Sequence, residues 1–516
     1  MLQTVPAQSW KPGLAEFREK TEQFYRGEIS KNDYKGFSGR YGSYAQKGGK
    51  ASMLRLRMAG GRLTKEKLRF LAESIEKHQV DKVHLTTCQT VQLHNLQPEA
   101  VYDIMEKALD AGIVTMGGGG DFPRNVMVSP LSGVEADEYF DVLPWAEAAG
   151  EYLMTYINGP KMPRKLKVCF SNSPKNVPHA TYRDLGFVAR PDGCFDVYSA
   201  GGLGNNPRFG LKVAEKIAPE QILCYIEAMH QTFLTYGNYE QRGKARTRYM
   251  QEKLGEEGYV KAYREKLEEV LASGKDLEIQ PRRPEVQKKE DGTRISGKRI
   301  LPQKQNGLYT VAYHPIGGCP APGKFRELYE TIKDMEEVEI RIAPDETLYV
   351  INLTGSEAET VCRVTADGAE TLFETSVSCI GASICQVGVR DSQALLHKAV
   401  EAVREAGIPD GALPQIHISG CPSSCGTHQT GLIGFHGGVK AVDKVPMPAF
   451  TLHLGGCELQ GQEKMGKQAG VILEKDIPAF LVELGQTVTA TGEPYSQWVI
   501  SHEEELEKIA GTYLAV

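Results

Sequence analysis

The chain has 516 residues, 41% hydrophobic and 24% charged, with a formal net charge of -6 and a mean hydropathy of -0.35. That length calls for two to four domains with sizeable cores, and no run of eighteen apolar residues offers a transmembrane helix. The acidic balance gives no overall case for nucleic-acid binding, so an anionic partner has to be met by local clusters of Lys and Arg.

The first fifty residues carry Trp10, Phe17 and Phe24 at a helical spacing of seven, as in a segment that wraps a neighbouring domain. The opening MLQTVPAQSWKPGL lacks the basic and apolar regions of a signal peptide. A cytoplasmic protein with reduced thiols is the expectation.

An internal repeat follows. Residues 53 to 94 and 310 to 351 superpose without a gap, each reading strand, Gly-Gly turn, helix, strand. In the first copy Met53 to Met58 alternate before Gly60-Gly61, then Leu68, Leu71 and Ile75 mark a helix face and Val83 to His94 read as a strand. In the second, Thr310 to Pro315 lead to Gly317-Gly318, Phe325, Leu328 and Ile332 supply the helix face, and Val338 to Ile351 read as a strand. A further helical pattern follows each copy, with a capping-box signature at Ser356 to Glu359 in the second. The predicted fold class is α+β with two related halves, an arrangement in which ligands often sit where the halves meet.

Alternate residues of a strand share a face, so Arg55 and Arg57 point together, as do Lys165 and Lys167 in Pro163 to Val168. Thr86, Cys88, Thr90, Gln92 and His94 form a third such row. Each row alone is compatible with a solvated sheet face; together they describe an anion site. A basic stretch from Arg282 to Lys304, broken by Pro and Gly, reads as an interdomain connection, either solvated or docking an acidic electron carrier.

Near the end, Cys379, Cys385, Cys421 and Cys425 fall as C-x5-C, thirty-five residues, then C-x3-C. Paired zinc ligands usually lie two to four residues apart, which fits the first pair poorly, and disulfides belong to oxidising compartments. Burial as small hydrophobes remains open for cysteines in general, but Ser419 to Gly426 is too rich in Gly, Pro and Ser to be helix or central strand. A loop of that kind suits an iron-sulfur cluster, whose thiolates converge and accept backbone N–H bonds.

In their order along the chain these segments, with Pro123 to Val126, Gly201-Gly202, Asn238 to Tyr249 and Leu452 to Gly456, resemble the sulfite and nitrite reductase family. Its members hold siroheme coupled to a four-iron, four-sulfur cluster. The resemblance covers nearly the whole chain and implies internally duplicated ferredoxin-like βαβ halves with two siroheme- and cluster-binding α+β domains. It implies one 4Fe-4S cluster on Cys379, Cys385, Cys421 and Cys425, with Cys425 also bridging to the siroheme iron. By the same resemblance Arg55, Arg124, Lys165 and Lys167 meet the substrate, while Cys88, Gln92, His94, Arg164 and Arg246 lie on the siroheme side. Family members with Lys-x-Lys at 165 to 167 tend to reduce sulfite and those with Lys-x-Asn nitrite, and a dianionic sulfite draws more from the added ammonium of Lys167. The chain departs from the pattern at Cys88, where many relatives carry Arg, and at His84, which replaces another basic contact.

No Gly-rich dinucleotide fingerprint sits between a strand and a helix, so an external donor such as reduced ferredoxin is expected, with sulfite or nitrite as substrate and neither nucleic acid nor membrane as partner. A non-catalytic cluster protein for electron transfer or redox sensing is the rival class, and it predicts no tetrapyrrole. The expected layout is residues 1–125 as wrapping segment and first repeat, 126–299 as the lysine-bearing domain, 300–370 as second repeat, and 371–516 as the cluster domain.

Overall fold

The structure is a computed structural model and describes residues 4–515. Strands β1 (Ser43–Ala45), β2 (Ser52–Leu56), β4 (Val83–Leu85) and β5 (Val91–Leu96) form one antiparallel sheet in the order β1-β2-β5-β4, while β3 (Arg62–Leu63) leaves it to pair elsewhere. In β2 buried Ser52, Leu54 and Leu56 alternate with half-buried Met53 and Arg55. The turn after β2 requires glycine: Gly60 and Gly61 sit at φ 61° and 66°, and a Cβ on Gly61 would lie 2.4 Å from the Ile342 carbonyl.

The second copy repeats this plan. After β6 (Met127–Val128), β7 (Val168–Ser171), β8 (Leu185–Ala189), β9 (Phe195–Ser199) and β10 (Leu211–Ile217) come β11 (Ile300–Pro302), β12 (Tyr309–Tyr313), β13 (Glu339–Ile342) and β14 (Leu348–Leu353). Gly317 and Gly318 repeat the φ values 61° and 66°. The copies join where β3 pairs with β13, Leu63 opposite Ile340 and Arg62 opposite Arg341, so the sheet reads β11-β12-β14-β13-β3.

Residues 83–94 and 338–351 are hairpins rather than the single strands read from alternation. The first turns at Thr86, whose N–H donates to Thr90 O at 3.0 Å, and the second at Ala343, whose N–H donates to Thr347 O at 2.8 Å. Gln89 and Glu346 take left-handed φ of 55° and 72° and are fully buried. Neither turn contains glycine, and Pro344 in the second is the only breaker residue, so little in the pattern marks the reversals. The capping box also shifts by two residues, to Thr354 and Glu357.

Two further sheets complete the chain: β6 to β10, and β15 (Val377–Ser378), β16 (Ile416–Ser419), β17 (Ile433–Val442), β18 (Val445–Leu454) and β19 (Lys467–Leu473). In each the first three strands run parallel and the last two antiparallel. The duplication therefore extends beyond the ferredoxin-like copies. Helices Leu143–Met154 and Ile222–Tyr236 close one core, Ser392–Glu405 and Ile477–Thr491 the other.

At the N-terminus Trp10 lies in a 3-10 segment, so the helical spacing begins only with Phe17, in helix Leu14–Tyr25 packed on Pro98–Asp110. The basic connection has no regular structure from Lys275 to Ser296, and much of its charge is already paired. Arg283 meets Glu339 at 2.7 Å, Lys288 meets Glu357 at 2.5 Å, Lys298 meets Asp410 at 2.8 Å and Lys304 meets Glu138 at 2.6 Å. It behaves as a strap across both halves rather than a free basic surface.

Candidate active site

The loop between β16 and β17 carries Cys421 and Cys425, and the segment after β15 carries Cys379 and Cys385. Because β15 and β16 are parallel neighbours, their C-terminal ends deliver both segments to the same edge of the sheet. All four thiols are free. Cys425 lies within electrostatic reach of Cys421 and Cys385, and Cys379 within reach of Cys425. Gly420 N–H donates to the Cys379 sulfur at 3.1 Å and the Ser392 hydroxyl lies 3.2 Å from it. Burial pushes the Cys379 thiol up to about 12, with Cys425 adding to the rise. Cys425 is exposed to solvent, yet the atoms packed around it raise its thiol by desolvation and Lys165 opposes the rise.

The cations arrive from three elements. Arg55 of β2 and Arg124 converge on the Gly118 carbonyl. Their neighbour Arg57, just past the end of β2, is consumed by the carbonyls of Met116, Pro123 and Arg124 at 2.9 to 3.0 Å, and is structural. Lys165 and Lys167 lie on the extended lead-in to β7, not on a strand, pinned where Leu166 bridges Pro123. Burial, then Arg246, Arg124 and Lys167, hold the Lys165 ammonium well below its usual range. Lys167 is lowered by burial too, with Cys88 opposing, and Arg124 falls to about 10 through burial and Arg55. So many neighbouring cations repel one another, and an anion would relieve that repulsion.

Cys88 occupies the turn between β4 and β5, next to Thr87, whose hydroxyl donates to the Cys425 carbonyl at 2.8 Å. Lys167 Nζ lies 3.2 Å from the Cys88 sulfur. Burial alone would raise this thiol, but Lys167, Arg183 and Arg55 bring it down to about 6. Gln92 and His94 share a face of β5: with its amide oriented to suit both neighbours, Gln92 accepts from Arg55 at 2.6 Å and donates to His94 Nε2 at 3.2 Å. Cys88 does not extend that row, because the turn intervenes. Burial holds His94 well below its usual range. Arg164 is paired with Asp121 at 2.8 Å, and His84 is held by Glu346 and the Ser378 carbonyl at 3.4 and 3.3 Å.

Several members of this site give no motif-like signal. Asp184 is fully buried and accepts from the Lys167 N–H at 2.8 Å and from Arg246 at 3.0 Å, fixing both. Arg183, buried beside it, adds to the field on Cys88 and Lys167. A Tyr-Arg-Asp run ahead of an apolar strand was the one available hint.

The residues fit a large polyanionic group and a metal-sulfur core. Arg124 and Arg246, beside Lys165, each keep a buried N–H without an acceptor, as does His94 Nδ1. Buried donors are rarely left so, and carboxylates or an oxyanion are the groups that satisfy them. A cleft of about 790 Å³ between the strap and Arg62 and Glu147 differs in this respect, because Arg62 and Arg283 both spend their charge on Glu339.

Comparison with known proteins agrees. Residues 44–111 match the nitrite/sulfite reductase ferredoxin-like half domain, and residues 119–271 match the nitrite and sulphite reductase 4Fe-4S domain. Sulfite reductase [ferredoxin] 1 of Mycolicibacterium paratuberculosis is 25% identical over 88% of this chain and 82% of its own length. Ferredoxin--nitrite reductase of Leptolyngbya laminosa is 26% identical over 83% of each chain. The solved structure of the Mycobacterium tuberculosis NirA protein superposes with a TM-score of 0.78 at 24% identity, covering 98% of both chains, and shares the fold. The chain thus carries a match to the nitrite/sulfite reductase ferredoxin-like half domain ahead of a match to the nitrite and sulphite reductase 4Fe-4S domain, and it is similar to ferredoxin-dependent sulfite and nitrite reductases over most of its length.

Proposed function

We propose that the protein is a siroheme-dependent reductase that converts sulfite to sulfide with six electrons from reduced ferredoxin. The observation that carries this reading is the meeting of four thiols with buried cations whose N–H groups lack acceptors. Relatives named as ferredoxin-dependent sulfite reductases support the substrate and the donor.

In this reading Cys379, Cys385, Cys421 and Cys425 would hold one 4Fe-4S cluster, and Cys425 would also serve the siroheme. Gln92, His94, Cys88, Arg164 and Arg246 border the tetrapyrrole. When bound, the two groups supply the electrons and the metal site at which oxygen is removed from the substrate. Arg55, Arg124, Lys165 and Lys167 bind the oxyanion and place positive charge where its oxygens depart. Overall, sulfite takes up six electrons and eight protons to give hydrogen sulfide and three waters. A lysine depressed by burial parts with its proton more readily than a solvated one, which suits Lys165 and Lys167 to that delivery. Asp184 acts through them, by holding the Lys167 backbone and Arg246 in place.

One observation favours nitrite as a second substrate. A Cys88 thiolate 3.2 Å from Lys167 offsets the added ammonium that would select a dianion. Relatives named ferredoxin--nitrite reductase stand beside the sulfite reductases, at 26% against 25% identity.

The test is an optical spectrum of cluster-loaded protein, then turnover of both anions with reduced ferredoxin. Siroheme bands that shift on reduction under carbon monoxide are expected, with sulfite the better substrate and the preference moving towards nitrite in Lys167→Asn. A protein with full cluster iron but no tetrapyrrole absorption would instead be the electron-transfer module.

A further inference from the structure

Behind the cysteine loop lies a group of side chains that the reduction leaves unused. His436 stands on β17 and His453 on β18; since His436 pairs with Thr451 and His453 with Gly434, the two histidines are diagonal neighbours on one face of the hairpin. His428 joins them from the turn three residues after Cys425. That turn reverses through Thr427 at φ 53° and lies so close to β17 that a Cβ on Gly434 would fall 1.8 Å from the His428 carbonyl. One ring nitrogen from each histidine lies within 4.8 Å of the other two.

The three rings are tilted by 38° to 57° to one another with centroids 4.8 to 5.1 Å apart. His436 Nδ1 and His453 Nε2 are 2.8 Å apart and share one proton, while His453 Nδ1 is buried with no hydrogen-bond partner. His428 Nδ1 is held by the Ser419 hydroxyl at 3.0 Å, which orients the ring and leaves Nε2 for a ligand. Burial keeps all three imidazoles below their usual range, so each offers a neutral lone pair at pH 7.

We propose that His428, His436 and His453 bind one divalent transition-metal ion, with zinc as the reference case, in a three-imidazole site that keeps a fourth position open. Tetrahedral zinc at about 2.0–2.1 Å from each nitrogen separates its ligands by roughly 3.3 Å. The nitrogens now lie between 2.8 and 4.8 Å apart, so ring rotations suffice to reach that spacing. The ion replaces the proton shared by His436 and His453, and ties the end of the cysteine loop to the β17–β18 hairpin. Imidazole ligands without thiolate select zinc and its first-row neighbours over calcium or magnesium.

The experiment uses holoenzyme with its full iron and siroheme content, so that vacant cluster thiols do not compete. One equivalent of zinc is added, weakly held metal is removed by gel filtration, and retained zinc is counted and examined by X-ray absorption at the zinc edge. About one zinc per chain with only nitrogen or oxygen neighbours at about 2.0 Å is expected. The half-buried His436, changed to Gln, is expected to weaken retention by about tenfold or more, and His436→Gln with His453→Gln to abolish it, with iron content and the siroheme spectrum unchanged. Retention of no zinc by the intact holoenzyme overturns the proposal, and so does sulfur scattering at about 2.3 Å, which would put the ion on cysteines.

Discussion

The sheets β6–β10 and β15–β19 share one backbone plan but carry opposite chemistry. Corresponding loops reverse at Asn176 and His179 (φ 52° and 64°) in the first and at Ser424 and Thr427 (φ 55° and 53°) in the second. The backbone contact behind each loop is equally matched, with Gly186 against Ala180 and Gly434 against His428. The Asn172 N–H donates to Ser129 Oγ at 3.1 Å, and in the same place the Gly420 N–H donates to Cys379 Sγ at 3.1 Å. Ser173 and Val177 likewise stand where the second sheet has Cys421 and Cys425. The lysines reverse the pattern: ahead of β7 stand Lys165 and Lys167, and ahead of β16 stand Leu413 and Gln415. Duplication supplied two identical shelves, and a few side chains made one a thiolate shelf and the other a cation shelf.

The largest effect is expected where the shelves differ most. Cys425→Ser should abolish turnover of both anions and lower bound iron, read by metal analysis and electron paramagnetic resonance. The converse pair Ser173→Cys and Val177→Cys should add no second cluster, because the counterpart of the Cys385 segment is the acidic stretch Glu135 to Glu138, where Glu135 is held by Lys175 at 2.5 Å. Extra iron in that variant would show that thiol placement alone separates the two sheets. On the cation side, Lys165→Met should reduce kcat by about 100- to 1,000-fold with cofactor content intact, as expected for a group that meets charge developing in the transition state.

What the sheets share can be broken in parallel. A Cβ on Gly186 or on Gly434 would fall 1.8 Å from a carbonyl oxygen, so Gly186→Ala and Gly434→Ala should each destabilise their sheet by about 1–3 kcal/mol or more. Thermal unfolding should shift comparably in both. Only Gly434→Ala should also shed cluster iron, since its neighbour His428 closes the loop that bears Cys425.

The ferredoxin-like repeat could be read from the sequence because its Gly-Gly turns and helix faces are written in residue types with few alternatives. The second duplication could not. Its shared features are left-handed Asn176, His179, Ser424 and Thr427, which are not glycines, and a hydrogen bond that accepts Ser or Cys alike. The thiols are legible through spacing, but alternation puts Lys165 and Lys167 on a strand that begins only at Val168, since a bridge at Leu166 extends the chain without a ladder. Asp184 stayed hidden because a lone carboxylate before an apolar run carries no period, although burial makes it the anchor of Lys167 and Arg246.

Cys88 is where the shelves touch, with Thr87 bonded to the Cys425 loop and the Cys88 sulfur beside Lys167. Desolvation disfavours the thiolate there, so a thiol pulled down to about 6 depends on the cations and above all on Lys167. Cys88 should therefore be mostly thiolate at pH 7, and its alkylation by iodoacetamide, followed by mass spectrometry of the peptide, should reach half its limiting rate near pH 6. Lys167→Asn removes the leading stabiliser and leaves the burial cost, so the midpoint should move upward. Asp184→Asn should move it less, because that change frees the Lys167 backbone without removing its charge. If the midpoint stays near 6 in Lys167→Asn, the field at Cys88 belongs to Arg183 and Arg55, and the pairing that weakens the preference for a dianion is absent.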